Sequence, residues 1–170
     1  MNVELVVLRI IHIYGGVIWA GTSLFMSFFL MPAMGVAGPA GAPVMGALVG
    51  RKVFTIIPVI ALLTMLAGLR MLWLVSGGFS AQYFATTSGK TYAGGATFAL
   101  ATFIVFMSVN HPAIRRMMRL GQQMASATDA ERPKLAAEMN AVRGRAVLAS
   151  KVTAVLLTLT VLAMAVGRYS

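Results

Sequence analysis

Four long apolar segments, separated by polar or glycine-rich connections, dominate the distribution of residues along the chain. They cover roughly residues 5–31, 53–76, 95–113 and 146–167. A helix needs about 20 apolar residues, at about 1.5 Å per residue, to cross a hydrocarbon core of about 30 Å. The segments are too long for strands and show no alternation of polar and apolar positions. The pattern predicts an all-α fold, an integral membrane four-helix bundle that forms a single transmembrane domain over residues 1–170.

Proline and glycine mark the expected ends of these segments. Pro32 is expected to end the first helix, because proline lacks the donor that continues a helix. The stretch 33–50 is rich in Ala, Gly and Pro, which favours a loop or weakly ordered structure. The glycine pair at 77–78 is expected to close the second helix, and the pair at 94–95 to open the third.

The connection between the third and fourth segments, residues 114–145, shows helical periodicity of its own. Apolar residues recur there at helical spacing on both sides of a polar break at 126–129. Thr128 and Glu131 have the spacing of a capping box, a motif that starts helices. We therefore expect a helical hairpin over 114–145 that continues the third and fourth helices beyond the membrane.

Composition and charge exclude a water-soluble protein and orient the bundle. Of the 170 residues, 59% are apolar and 11% are charged, whereas soluble domains carry about 25% charged residues. The net charge of +10 would suit nucleic acid. However, the basic residues concentrate in the first connection, at Arg51 and Lys52, and in residues 114–145, as they do in cytoplasmic loops of membrane proteins. We expect both termini on the outer side and no nucleic-acid partner.

Ionisable and strongly polar residues inside the apolar segments are the first candidates for function, because a bilayer penalises them. His12 and His111 are the only histidines of the chain. The residues of this kind in or at the ends of the spans are His12, Arg70, Asn110, His111 and Lys151.

His12 and Arg70 together suit a haem near the outer surface. His12 shares a helix face with small residues such as Gly16 and Ser23, so it is expected to point into the bundle. Arg70 lies late in the second span and reaches a similar depth. A neutral imidazole can bind the iron while the guanidinium pairs with a propionate. The alternative is a histidine bonded to a neighbouring carbonyl or hydroxyl, and an arginine whose charged end reaches the headgroups.

His111 lies at the opposite depth, about one turn before Arg115, and Lys151 enters the fourth span from the same side. Pro112 follows directly and predicts a kink or a loosened turn. Each histidine is expected about 5 Å from its own surface, which leaves about 20 Å between them in depth. One iron cannot bridge that distance. Either both histidines are metal ligands of separate sites, or only one of them is a ligand; the alternative for His111 is a structural residue that reaches the inner interface.

Other chemistries have less support in the sequence. The chain contains no cysteine, which excludes thiolate metal sites and c-type haem attachment. Thirteen methionines, among them Met31 and Met34, raise the question of Cu(I). However, five others are scattered within the spans, where methionine fills apolar gaps, at Met26, Met65, Met71, Met107 and Met164. No outer cluster of Met and His is present. No Walker, hydrolase or zinc-protease motif is found, so enzymatic activity stays open.

The first helix carries a resemblance to a known group. The sequence from Arg9 to Thr22, RIIHIYGGVIWAGT, and the second span from Arg51 to Arg70 resemble a loose superfamily of small four-helix bacterial membrane proteins. This superfamily includes the copper-resistance D family and the membrane-bound, haem-containing type of protoporphyrinogen oxidase. The resemblance implies that His12 is a haem b ligand. Those oxidases also use a lysine near the start of the third span, whereas the nearest here, Lys90, is expected in the loop before that span.

These observations lead to one expected function and two alternatives. We expect a haem-b-binding membrane protein with a redox or electron-transfer role, in which His12 and Arg70 contact one haem and His111 is the candidate ligand of a second, separate site. The alternatives are a copper-handling membrane protein and a cofactor-free structural subunit of a larger membrane complex. The expected partners are the lipid bilayer and either a membrane redox protein or a second copy of the chain. The resemblance implies the bacterial inner membrane.

Overall fold

Six helices account for nearly all of the chain. A computed structural model describes residues 2–169, apart from the side chain of Pro39. The helices of this part are α1 (Val3–Ala37), α2 (Ala42–Gly50), α3 (Val53–Val75), α4 (Ala81–Ala85), α5 (Thr87–Ser126) and α6 (Arg132–Val166). Four of them, α1, α3, α5 and α6, are long and apolar enough to span a membrane. The all-helical prediction is therefore confirmed.

The first helix does not end at Pro32, so that prediction is wrong. Helix α1 contains a π-helical turn at Met26–Leu30 and continues to Ala37. At this turn the main-chain N–H of Met31 bonds to the carbonyl of Met26, five residues earlier. A wider turn relieves the clash between a proline ring and the carbonyl four residues before it. The helix can therefore pass through Pro32 without breaking.

The stretch after Pro32 is more ordered than its composition predicts. A single 3₁₀ turn at Gly38–Gly41 separates α1 from α2, which covers most of the expected loop. The prediction for the end of α3 is confirmed, because Ser76 caps the helix and Gly77 and Gly78 follow with positive φ angles. Glycine tolerates that backbone region without strain.

Helix α5 begins earlier than the glycine pair at 94–95, which the sequence had suggested as its start. The side chain of Thr86 accepts a hydrogen bond from the N–H of Gly89 at 3.0 Å and caps the helix there. Gly95 lies inside the helix and is buried against α6, where a Cβ would stand 3.1 Å from that of Ala163. The glycine serves close helix packing rather than a helix end. Lys90 consequently lies in the first turns of α5, not in a loop.

The hairpin predicted over residues 114–145 is present. Helix α5 extends through a second π-helical turn, Phe106–Asn110, directly before His111 and Pro112, and continues to Ser126. Helix α6 then runs unbroken from Arg132. Glu131 accepts hydrogen bonds from the N–H and the hydroxyl of Thr128, at 2.9 and 2.8 Å. The loosened turn expected next to Pro112 is this π-helical turn.

The spanning helices pack as two antiparallel pairs, α1 with α3 and α5 with α6. Each contributes one residue to a shared core, formed by Trp19, Ala61, Ala99 and Leu157. Ser27 of α1 donates a hydrogen bond to the carbonyl of Ser150 in α6, which links the two pairs. Both termini lie at the same end of the bundle. We call this the terminal end. The opposite end, where Lys52 and Arg115 lie, is the basic end.

The two pairs repeat the same design. In each, the first helix is interrupted by a five-residue π-helical turn that is followed two residues later by proline, at Pro32 and at Pro112. A buried glycine precedes each proline by 17 residues, Gly15 in α1 and Gly95 in α5. Both glycines allow close approach of the partner helix. The fold is thus two similar helix pairs side by side.

Candidate functional site

His12 is held between α1 and α3 at the terminal end of the bundle. Its Nδ1 lies 2.8 Å from the main-chain carbonyl oxygen of Thr64. A carbonyl oxygen can only accept, so Nδ1 carries the proton and Nε2 of the neutral ring keeps its lone pair. Among residues 2–169 no hydrogen-bond partner of Nε2 is found. The ring is partly buried, so the prediction that His12 points into the bundle agrees with its contacts.

Two glycines create the space for this arrangement. A Cβ at Gly68 would stand 2.6 Å from Cε1 and 2.7 Å from Nδ1 of His12, so the imidazole lies directly on the backbone of α3. A Cβ at Gly15, one turn further along α1, would collide with the hydroxyl of Thr64. Both positions therefore require glycine if His12 is to reach the Thr64 carbonyl.

The second helix pair carries the same arrangement with a different side chain. Tyr92 precedes Gly95 by three residues, and its ring lies where a Cβ of Gly167 would be 2.8 Å away. His12 stands in the same relation to Gly15 and lies on Gly68. The repeat therefore presents a ring on glycine at two related places, and of these two rings only that of His12 is an imidazole.

Arg70 lies two residues beyond Gly68 and is not free in the structure. Its Nε donates to the carboxylate of Glu4 in α1 over 2.8 Å, and both side chains are about half exposed, at 48% and 47%. The prediction from the sequence paired this guanidinium with a haem propionate and did not include Glu4 as a partner. The remaining N–H groups of Arg70 have no partner within residues 2–169, so a second carboxylate can still bind there.

His111 lies far from His12, as the depth argument predicts. It lines a cavity of about 450 Å³ at the basic end, together with Lys52 and Thr55. On α3, Thr55, which lines this cavity, and Gly68, on which His12 lies, are 13 residues apart, which corresponds to about 20 Å along a helix. The two histidines therefore cannot bind the same iron.

The remaining polar candidates are Lys151, Asn110, which directly precedes His111, and Lys90. Lys151 is exposed on α6 and is not among the residues that line the cavity. Asn110 is 7% exposed and its Oδ1 has no hydrogen-bond partner in residues 2–169. Lys90 is exposed at the start of α5, at the terminal end. No group of three or more His, Cys, Asp or Glu side chains that could hold a metal ion is found among the described residues.

Sequence reasoning missed Thr64, Gly68 and Glu4, the residues that surround His12 and Arg70. Every residue has a main-chain carbonyl, so the role of Thr64 as the acceptor of the His12 hydrogen bond could not be predicted from its residue type. The repeat was detectable, since the equal spacing of Gly15 from Pro32 and of Gly95 from Pro112 is visible in the sequence.

Comparisons with protein-family models, curated proteins and solved structures give no match.

Proposed function

We propose that this protein binds haem b at the terminal end through Nε2 of His12 and has a redox or electron-transfer role. One observation carries the proposal, the hydrogen bond from Nδ1 of His12 to the Thr64 carbonyl. Histidines that bind metals almost always donate the other ring N–H to a carbonyl, a carboxylate or water, which selects the tautomer and orients the ring. His12 has this arrangement before any metal is bound.

The surroundings of His12 are compatible with such a ligand. The chain lacks cysteine, so a haem would be held by coordination and burial alone. Gly68 and Gly15 provide the space in which the imidazole and the Thr64 hydroxyl pack, so the ring is held in place by α3. A bound haem iron supplies one-electron chemistry. The protein's own part is to bond the Nδ1 proton to the Thr64 carbonyl, which fixes the orientation of the ring and leaves Nε2 as the nitrogen that faces a ligand.

Arg70 is the proposed partner of a haem propionate. Its contact with Glu4 spans from α3 to α1 at the terminal end, and the two side chains are partly solvated. Exposed ion pairs are worth little, typically about 0–1 kcal/mol. A propionate can therefore share or replace the Glu4 carboxylate at modest cost.

The charge distribution supports an orientation in the membrane. Lys52, Arg115 and Arg119 lie at the basic end, which the positive-inside rule assigns to the cytoplasm. Both termini, and with them His12, would then face the outer side of a bacterial inner membrane. The exposed apolar surface of the spanning helices suits contact with lipid. Electron transfer would further require a membrane redox protein or a second copy of the chain.

The test is a visible spectrum of the full chain, purified after expression with ample haem. We expect a Soret band that is lost in His12→Ala and retained in His111→Ala, which removes the other histidine. Loss of about half the haem in His111→Ala would indicate a second haem at the basic end. A full Soret band in His12→Ala would overturn the assignment of the ligand.

A protein without haem would favour one of the alternatives. Bound copper in the purified wild-type chain would indicate a copper-handling protein. The absence of both haem and copper would favour a structural subunit of a larger membrane complex.

A further inference from the structure

The cavity at the basic end has a strongly basic lining, and the proposed haem site does not use it. It has a volume of about 450 Å³ and lies between the start of α3 and the middle of α5. Its polar lining includes Lys52, Arg115, Arg119 and the imidazole of His111. Three cations and a ring N–H therefore converge on one space.

No acidic residue neutralises these cations. The chain has only four acidic residues, and all of them are engaged with other residues. They are Glu4 with Arg70, Glu138 with Arg116, Asp129 with Arg132, and Glu131 with Thr128. Within residues 2–169 no ion pair or side-chain hydrogen bond of Lys52, Arg115 or Arg119 is found. A cavity with unbalanced positive charge beside an apolar bundle concentrates anions, because the low-dielectric wall focuses the field.

The backbone at Lys52 adds an independent observation. Lys52 has a φ angle of 57° and a ψ angle of 25°. These angles lie in the left-handed region, which residues other than Gly and Asn rarely adopt. Its carbonyl accepts the first hydrogen bonds of α3, from Thr55 and Ile56. Glycine would fit this position without strain, but the chain carries lysine and directs it to the cavity. Strained positions of this kind are often kept for function.

The rest of the lining is apolar and includes Val49, Phe54, Ile114 and Met118. A ligand with an anionic head and an apolar body fits this division. Arginine binds phosphate through paired N–H groups and lysine binds it as a point charge. We propose that the cavity binds a phosphate-bearing anion, and that the source is the headgroup of an anionic phospholipid, with the acyl chains on the apolar lining. Basic pockets between membrane helices are suited to such headgroups.

The test is native mass spectrometry of the full chain in detergent, with phosphatidylglycerol or phosphatidylcholine added. We expect phosphatidylglycerol to bind more tightly than phosphatidylcholine. Each basic residue near a membrane surface changes anion binding by about fivefold. The double variant Arg115→Gln, Arg119→Gln should therefore weaken phosphatidylglycerol binding about 25-fold. The control, Arg143→Gln with Arg145→Gln, removes the same charge outside the cavity without releasing a paired carboxylate, and should change binding less than threefold, about the effect of a distant charge.

Competition with inorganic pyrophosphate identifies the source of the phosphate. No displacement of phosphatidylglycerol supports the lipid headgroup, whereas displacement at equal concentration supports a soluble phosphate compound in the same cavity. Equal loss of binding in the two double variants, or equal binding of the two lipids, would overturn the proposal.

A single substitution separates binding from folding. Lys52→Gly removes one cation and also relieves the left-handed backbone, so thermal stability in detergent should stay the same or rise. Binding of phosphatidylglycerol should fall about fivefold. Unchanged binding in a folded Lys52→Gly variant would show that the lysine does not face the ligand and would overturn its role in the site.

Discussion

The imidazole of His12 donates its Nδ1 proton to the main-chain carbonyl of Thr64, in the neighbouring helix, over 2.8 Å. The residues are 52 positions apart in the sequence, and the contact exists only because α1 and α3 pack closely. The bond decides which nitrogen of the ring is available to a ligand. It thus links the packing of two helices to the chemistry of one side chain.

The Gly68→Ala substitution tests this link directly. The new Cβ would stand 2.6 Å from Cε1 of His12, so the ring must move and the bond to Thr64 must weaken. Loss of such a supporting contact typically costs about 10–100-fold in metal affinity, and haem retention should fall accordingly. Imidazole ¹⁵N spectra report the hydrogen bond and the tautomer of the His12 ring. They are simple to assign, because the chain has only two histidines. Gly21→Ala, with nothing within 4 Å, is the control. Unchanged spectra in Gly68→Ala would contradict the packing.

Removal of Glu4 should release Arg70. The pair is about half exposed, so Glu4→Gln should change the free energy of unfolding by less than about 1 kcal/mol. If Arg70 binds a propionate, haem retention should be equal or higher in Glu4→Gln and lower in Arg70→Leu. The rate of haem transfer to apomyoglobin measures both. Faster loss from Glu4→Gln than from Arg70→Leu would argue against the propionate role.

The orientation of the bundle can be read from two single cysteines, because the chain has none of its own. Ala130→Cys lies in the connection between α5 and α6, and Gln82→Cys lies in α4, both at exposed positions. With the basic end in the cytoplasm, an impermeant maleimide should label residue 82 in intact spheroplasts. Residue 130 should react only after permeabilisation. The opposite labelling would reverse the orientation.

The shared core predicts a large difference between two leucines of α6. Leu157 is 1% exposed and contacts the core, whereas Leu159 is 40% exposed. Leu157→Ala should lower the free energy of unfolding by about 2–5 kcal/mol, the usual cost of a buried leucine. Leu159→Ala should cost much less, because lipid replaces the lost contacts. Unfolding by sodium dodecyl sulfate measures both variants. Equal losses would mean that the leucines are equally packed.

The Thr128–Glu131 contact predicts a pH dependence in the hairpin. Hydrogen bonds from the main-chain N–H and from the hydroxyl of Thr128 hold the pKa of Glu131 below its ordinary value of 4.5. The contact therefore stabilises the turn fully above pH 4.5, and this contribution is lost as the pH falls through the lowered pKa.

Titration of the Glu131 carboxyl by ¹³C NMR measures this shift. In Thr128→Ala the pKa should rise only partly towards its ordinary value, because the main-chain donor remains. A Glu131 that titrates at its ordinary value in the wild-type chain would show that the contact does not form.

Much of the architecture was determined by the sequence alone. Apolar runs longer than a strand predict helices that span a membrane, and four helices of that kind are present. The periodicity of residues 114–145 predicted the extension of the last two helices. The ends of the helices were harder to predict from the sequence. A proline or a glycine pair commonly marks a helix end, but here a π-helical turn accommodates Pro32 and close helix packing explains the buried Gly95.

The candidate sites depend on tertiary structure in a different way. Composition singled out His12 and Arg70, because ionisable residues are rare in apolar segments. Only the packing of α1 on α3 decided that His12 bonds to a main-chain carbonyl and that Arg70 meets Glu4. Likewise, Lys52 and Arg119 looked like orientation signals until the fold placed them around one cavity. Hydrophobic pattern is a property of each segment, whereas a site is formed by distances between segments, which the sequence does not contain.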